Sequence, residues 1–285
     1  MATTNLIGAV HIFFSVTAFL GNSLIIVSLY KESSLHPPSK LLYRCLATTD
    51  LLVGLVAEPL CATVNVLDSW TLEHRGIFRY ANEAAVITSL VLCGASLLTM
   101  TAISVDRLLA LLLGLRYKQI VTLKRTYIVV ATLWVSTLVA SLCAIFDHHI
   151  MVFNGSILIL ICLVISITSY TKIFCALSQH QAQVQDHSQQ QPIQPSALNM
   201  VRYRKAVYNA LWVQMALVVC YAPYGIVEIV LSKTYSSHVW AFRDITIVLV
   251  YFNSTLNPFL YCWKISEVRQ AVKQTIRQAL CCPWS

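Results

Sequence analysis

Apolar residues fill this chain in long uninterrupted blocks, unlike the short alternating or one-faced patterns of a soluble domain. Residues 1–30, 84–105, 127–146, 148–171, 206–227 and 245–263 contain no Asp, Glu, Lys or Arg. A seventh block, about 41–66, is interrupted only by Arg44, Asp50 and Glu58. Each block can supply the roughly 20 apolar residues that a helix needs to cross a bilayer. The pattern predicts an all-α membrane protein, a seven-transmembrane-helix bundle over residues 1–263. An odd number of spans puts the two ends of the chain on opposite faces.

The connections carry their own signals. His36-Pro37-Pro38 breaks the chain between the first two spans. Residues 178–199 hold eight glutamines and two prolines and read as a flexible loop without a core. From 264 the pattern changes: Val268, Val272, Ile276 and Leu280 recur every four residues, with Arg269, Lys273 and Arg277 between them. That spacing predicts a short amphipathic eighth helix on the membrane surface, within a separate segment 264–285. Cys281 and Cys282 directly after it are candidates for palmitoylation.

Composition agrees with a lipid environment. The chain is 57% hydrophobic and 11% charged, where a soluble domain carries about 25% charged residues. The net charge of +8 would suit nucleic acid, but its distribution excludes that reading. With the N-terminus outside, only Arg75, Arg79, Lys233 and Arg243 fall on the outer side. The remaining basic residues gather at the inner ends, inner loops and tail, which is the positive-inside bias. The basic excess therefore reports orientation and anionic membrane lipid, not DNA or RNA. Residues 1–5 lack a positive n-region and the run after them is long, so the first span is expected to act as the anchor. Of ten cysteines, none lies clearly in an outer loop, so no disulfide is expected.

Several polar residues sit where lipid disfavours them. Asp50 lies about ten residues into the second span, near mid-membrane, where a charge costs about 2.5–3.5 kcal/mol or more. Asn22, Ser96, Asn253, Ser254 and Asn257 stand at comparable depth in other spans. Asn253 and Asn257 are four apart and share one helical face. A carboxylate ringed by neutral oxygens suits a small hard cation, and it equally suits a packing network with no ion. Asp106-Arg107 follows the uncharged run 84–105, which covers about 33 Å as helix and delivers the pair to the inner surface. Pro223 and Pro258 fall inside the sixth and seventh spans, where each kinks its helix. Asn253-Ser254-Thr255 has the form of a glycosylation acceptor but lies within a span; Asn154-Gly155-Ser156 is the reachable one.

Taken together these residues resemble the rhodopsin-like (class A) G-protein-coupled receptors, over essentially the whole chain. The resemblance rests on Gly21-Asn22, Leu46-Ala47-Thr48-Thr49-Asp50, Ser96, Asp106-Arg107, Trp134, Cys220-x-x-Pro223 and Asn257-Pro258-x-x-Tyr261, in that order. It implies a multi-pass plasma-membrane receptor with the N-terminus outside and the C-terminus in the cytoplasm. An extracellular small molecule or short peptide would move the sixth helix outward, opening a cleft for a heterotrimeric G protein. Arg107, beside Asp106, would engage that partner. Tyr170 and Tyr261 would support the open state, with Tyr221, Pro223 and Pro258 in the switch. Asp50, Ser96, Asn253 and Asn257 match the family's allosteric sodium site, the one cofactor-like ligand implied. Glu58, Ser89, Cys93, Tyr224, Glu228 and Tyr251 would face the ligand pocket, the two acids favouring a cationic or hydrogen-bond-donating ligand.

Departures from the family pattern narrow the comparison. Leu108 stands where tyrosine is usual after the arginine, Tyr221 replaces the usual tryptophan, and Cys162 stands about where the fifth span usually has proline. Asn82 replaces the usual cysteine at the top of the third span, and the second outer loop, about 147–154, is very short. These features resemble the melanocortin branch, near the adenosine, cannabinoid and lysophospholipid receptors. Ser89 stands where amine receptors carry aspartate, and residues 245–263 contain no lysine for retinal. A transporter or channel using Asp50 as an ion relay is the rival reading; it leaves Arg107 and the basic tail unexplained. No enzyme is expected, since neither an HExxH nor a GxSxG pattern is present.

Overall fold

The computed structural model describes residues 2–31, 35–68, 75–146, 148–188, 212, 215–231, 233, 237–264 and 266–281. Among them there is no strand. We label the helices α1 (Ala2–Lys31), α2 (Pro37–Leu52, a π turn Val53–Ala57, then Glu58–Asp68) and α3 (Arg75–Leu113). They continue with α4 (Leu123–Phe146), α5 (His148–Ser188), α6 (Met215–Leu231), α7 (Ser237–Lys264) and α8 (Ser266–Cys281). Six of these are long and apolar enough to cross a membrane, and α6 is a shorter apolar helix of the same kind. The fold is the expected seven-helix bundle with an eighth helix.

Helices α3, α4, α5 and α7 outrun their charge-free blocks, because a spanning helix continues past the hydrocarbon into polar surroundings where its sequence permits. α2 begins at Pro37, whose missing N–H costs nothing in a first turn. At the other end α5 runs to Ser188, so the first half of the glutamine-rich stretch is helical instead of loop. Glutamine and alanine are good helix formers, and they extend a helix already nucleated in the bundle. Residues 189–199 lie outside the described ones. The link between α4 and α5 is shorter than expected, and Asn154 is exposed on α5 itself.

Around the bundle α1 packs on α2 and α7, α3 on α2, α4 and α5. The main core cluster runs from Leu29, Leu42 and Tyr43 through Leu97, Ile159 and Leu217 to Tyr221 and Tyr261. Outward faces are apolar and exposed, as at Phe13 and Leu20 of α1 or Val135 and Leu142 of α4, which is what lipid contact requires. In α8 the expected apolar stripe divides. Val268 and Val272 bury against the bundle, while Ile276 is exposed beside Lys273 and Arg277. Lys31 Nζ donates to Gln278 Oε1 at 2.7 Å and ties α8 to the end of α1. The side chain of Cys281, and the whole of Cys282, lie outside the described residues.

Candidate functional site

At one end of the bundle a cavity of about 490 Å³ is lined by residues of α1, α2, α3, α5, α6 and α7. Ser89, Cys93, Tyr224, Glu228 and Tyr251, expected there, all line it, and Tyr221 lies in its wall with a hydroxyl that donates to the Cys93 carbonyl at 3.4 Å. Glu58 does not line it. The π turn in α2 holds an extra residue and so rotates everything after it. It is held against α1 at Gly54, where a Cβ would meet the Phe19 nitrogen and the Ser15 oxygen, both backbone atoms, at 2.9 Å. Ser15 Oγ donates to the Gly54 carbonyl at 2.6 Å across the same contact. Glu58, the first residue beyond the turn, is consequently buried against α1 with its Oε2 2.5 Å from His11 Nδ1.

Both acids thus already have partners. Arg243 Nε donates to Glu228 Oε1 at 2.7 Å, so Glu228 reaches the cavity as one half of an ion pair. The preference for a cationic ligand inferred from two rim acids does not follow from this geometry. His11 lines the cavity and was missed in the sequence. The available signal was its isolation, as the one imidazole in a block without Asp, Glu, Lys or Arg. Its ring meets Tyr251 edge to face with centroids 5.3 Å apart. The Tyr251 hydroxyl in turn contacts Ser89 Oγ, and Cys61 Sγ at 3.0 Å.

Below the cavity lies Asp50, fully buried. Ser96 Oγ and Ser254 Oγ donate to its Oδ1 at 2.9 and 2.8 Å, and Asn257 Nδ2 donates to Oδ2 at 2.7 Å. Asn22 joins at one remove, its Nδ2 donating to the Ser254 carbonyl at 3.1 Å. Asn253 does not bond Asp50; its Nδ2 meets Met100 Sδ at 3.4 Å. The side-chain oxygens of Asn22, Asn253 and Asn257 are all buried without a hydrogen-bond partner. Two helices, α3 and α7, therefore converge on the α2 carboxylate, with α1 at one remove and acceptor oxygens in surplus.

At the opposite end from the cavity Arg107 Nη2 donates to Asp106 Oδ2 at 2.9 Å. Asp106 also accepts from Ser39 Oγ at 2.9 Å and from Tyr117 OH at 2.6 Å. These two partners, at the start of α2 and in the turn after α3, carry no sequence signal that singles them out. Tyr43 bridges this site to α7: its ring lies 5.7 Å from the Arg107 guanidinium and meets Tyr261 edge to face at 5.3 Å. Tyr261 is buried with its hydroxyl unpartnered, and Tyr170 accepts from Ser104 Oγ at 3.4 Å. Pro258 sits within α7 and touches α1, where a Cβ on Gly21 would come within 2.9 Å of its ring. Pro223 sits within α6. Trp134 Nε1 donates to Cys45 Sγ at 3.4 Å, binding α4 to α2. The eight described cysteines, from Cys45 to Cys262, are free thiols.

Comparison with known proteins agrees with this architecture. Mouse (Mus musculus) melanocortin receptor 5 is 24% identical over 284 residues, covering 96% of this chain and 84% of that receptor. The family model of the 7-transmembrane receptors (rhodopsin family) matches residues 21–154 and 143–261, and so takes in the Asp50 cluster, Arg107 and the cavity lining except its α1 residues Thr4, Ile7 and His11. The chain belongs to the rhodopsin family of seven-transmembrane receptors.

Proposed function

We propose that an extracellular small molecule or short peptide binds in the cavity and that a heterotrimeric G protein is activated at the Arg107 end. The observation that carries this reading is the continuity of the core. Tyr221, in the cavity wall, belongs to the same buried cluster as Tyr261 and Tyr43, and the Tyr43 ring lies 5.7 Å from the Arg107 guanidinium. A ligand that moves Tyr221 therefore pushes on packed side chains, which repack between discrete arrangements instead of yielding smoothly. α6 hinges at Pro223 and swings away from the bundle. Arg107 exchanges Asp106 for the G protein, while Tyr170 and Tyr261 turn into the space that opens.

The cavity end faces outward and the basic α8 lies on the cytoplasmic leaflet of the plasma membrane, with palmitoyl groups on Cys281 and Cys282 as a second anchor. A sodium ion fits the middle of the bundle. Asp50 would supply the charge, with Ser96, Asn253 and Asn257 offering further oxygen, the atom type that hard cations prefer. Three buried amide oxygens without partners support that assignment. The ion would hold the closed arrangement by drawing α2, α3 and α7 together.

The test is Arg107→Ala, with purified receptor and G protein reconstituted together. Surface expression is expected to stay, because Arg107 is 37% exposed, while nucleotide exchange on the G protein falls to background. Exchange retained at the level of the unaltered receptor would defeat the assignment.

A further inference from the structure

Glu58 has one hydrogen-bond partner, His11 Nδ1 at 2.5 Å, and its Oε1 has none. His11 is 2% exposed and Glu58 0%. A carboxylate this buried, held by a single hydrogen bond in a spanning helix, costs far more than a neutral pair. With any acid proton partnered, the pair can be neutral in two ways, since an acid proton on Oε1 would be buried without an acceptor. A carboxylate can face an imidazolium, which carries protons on both ring nitrogens. Alternatively a carboxylic acid can donate its O–H to Nδ1, and the neutral imidazole then holds its single proton on Nε2. Both arrangements leave an N–H at Nε2.

His11 lines the cavity with Nδ1 committed to Glu58, so Nε2 is the nitrogen left for an incoming group. The Tyr251 ring against it is a weak partner beside an N–H···O bond. The neighbouring hydroxyls are already engaged: Ser89 Oγ donates to the Ala85 carbonyl at 2.5 Å, and Tyr251 OH lies between Ser89 and Cys61. Charge elsewhere in the lining is balanced or exposed. Arg243 holds Glu228, and Asp244 is exposed. A charged ligand would bring an uncompensated charge into this largely apolar space.

We propose that the Nε2–H of His11 anchors the ligand, and that the cavity selects an uncharged, mainly apolar molecule bearing one hydrogen-bond acceptor such as a ketone or amide carbonyl. The proposal rests on the receptor reading only in taking the cavity as the ligand site. Four naphthalenes of similar size serve as probes: acetylnaphthalene, ethylnaphthalene, the naphthylethylammonium cation and the naphthylacetate anion. Their affinities are read from thermal stabilisation of the detergent-solubilised full chain. The ketone is expected to bind at least about tenfold more tightly than each of the others. In infrared spectra its bound carbonyl band should fall below its position in hydrocarbon solvent.

Both effects should vanish in His11→Phe/Glu58→Leu, which keeps an aromatic ring beside Tyr251 and leaves no buried acid. The affinity ratio and the carbonyl band are also read on the unaltered chain, so they stand where the double variant does not fold. A ketone no tighter than any other probe, an unshifted carbonyl band, or a shift that survives the double substitution overturns the proposal. None of these measurements involves a G protein. Failed nucleotide exchange with intact ketone binding would strike the coupling reading alone, and the reverse result the anchor alone.

Discussion

Asp50 and Glu58 stand eight residues apart on one helix, and both are fully buried. They are satisfied in opposite ways. Asp50 accepts three hydrogen bonds from neutral donors on α3 and α7, with no cationic side chain bonded to it. Glu58 has a single titratable partner. Three neutral dipoles stabilise an anion without cancelling its charge, so Asp50 can still attract a cation. An acid–imidazole pair cancels its own charge, so Glu58 attracts none and instead fixes which ring nitrogen carries the proton. Burial alone therefore does not assign a role to a membrane acid; the protonation state of its partners does.

The largest expected effect comes from breaking the Glu58 pair on one side only. His11→Phe strands the acid, and losing one partner of a buried pair costs about 3–5 kcal/mol. Replacing both partners, in His11→Phe/Glu58→Leu, should recover most of that loss, because two apolar groups of similar size fill the same space. Thermal unfolding of the two variants in detergent gives the comparison. A double variant as unstable as the single one would mean that the pair contributes packing that apolar side chains cannot replace.

Asp50→Asn should behave differently. Ser96 and Ser254 can keep donating to the remaining side-chain oxygen, and Asn257 can turn its unpartnered Oδ1 toward the new amide. The expected change in stability is about 1 kcal/mol or less. What should disappear is the response to sodium. In the unaltered receptor, exchanging potassium chloride for sodium chloride at equal ionic strength should raise the unfolding temperature. In Asp50→Asn it should not, and an unchanged sodium response would remove the ion from the Asp50 site.

The contrast between the two acids was only half legible in the sequence. The spans, the depth of Asp50 and the candidate partners at that depth follow from the apolar blocks and helical spacing, and the resemblance to the family groups Ser96 and Asn257 with it. The fate of Glu58 does not follow: the family resemblance assigns it to the pocket, and the structure buries it against α1 instead. One added residue in the turn Val53–Ala57 rotates it toward α1, and the signal for that irregularity is Pro59, which has no N–H to give the carbonyl four residues back. Asn253 shows the same limit at smaller scale. It shares a helical face with Asn257, yet its amide meets Met100 and not Asp50. Ser39 and Tyr117 reach Asp106 through the chain's path around α3, which periodicity within a helix does not encode.

If the π turn divides the two acids, loosening it should affect Glu58 and spare Asp50. Gly54→Ala would drive a Cβ into the backbone of α1 at Ser15 and Phe19, where no side chain can give way. A cost of about 1–3 kcal/mol is expected from that overpacking. Binding of the ketone probe should weaken as His11 and Glu58 separate, with the sodium response kept.

Ser15→Ala is the gentler form of the same test. It removes the hydroxyl that holds the Gly54 carbonyl at 2.6 Å but leaves the close contact in place. A single lost hydrogen bond of this kind costs about 1 kcal/mol. The turn should then persist, because Gly54 still admits α1 to the same distance. Ketone affinity should fall less than in Gly54→Ala, and the sodium response should match that of the unaltered chain. A Ser15→Ala receptor that loses ketone binding as fully as Gly54→Ala would show that the hydroxyl, and not the missing Cβ, sets the direction of Glu58.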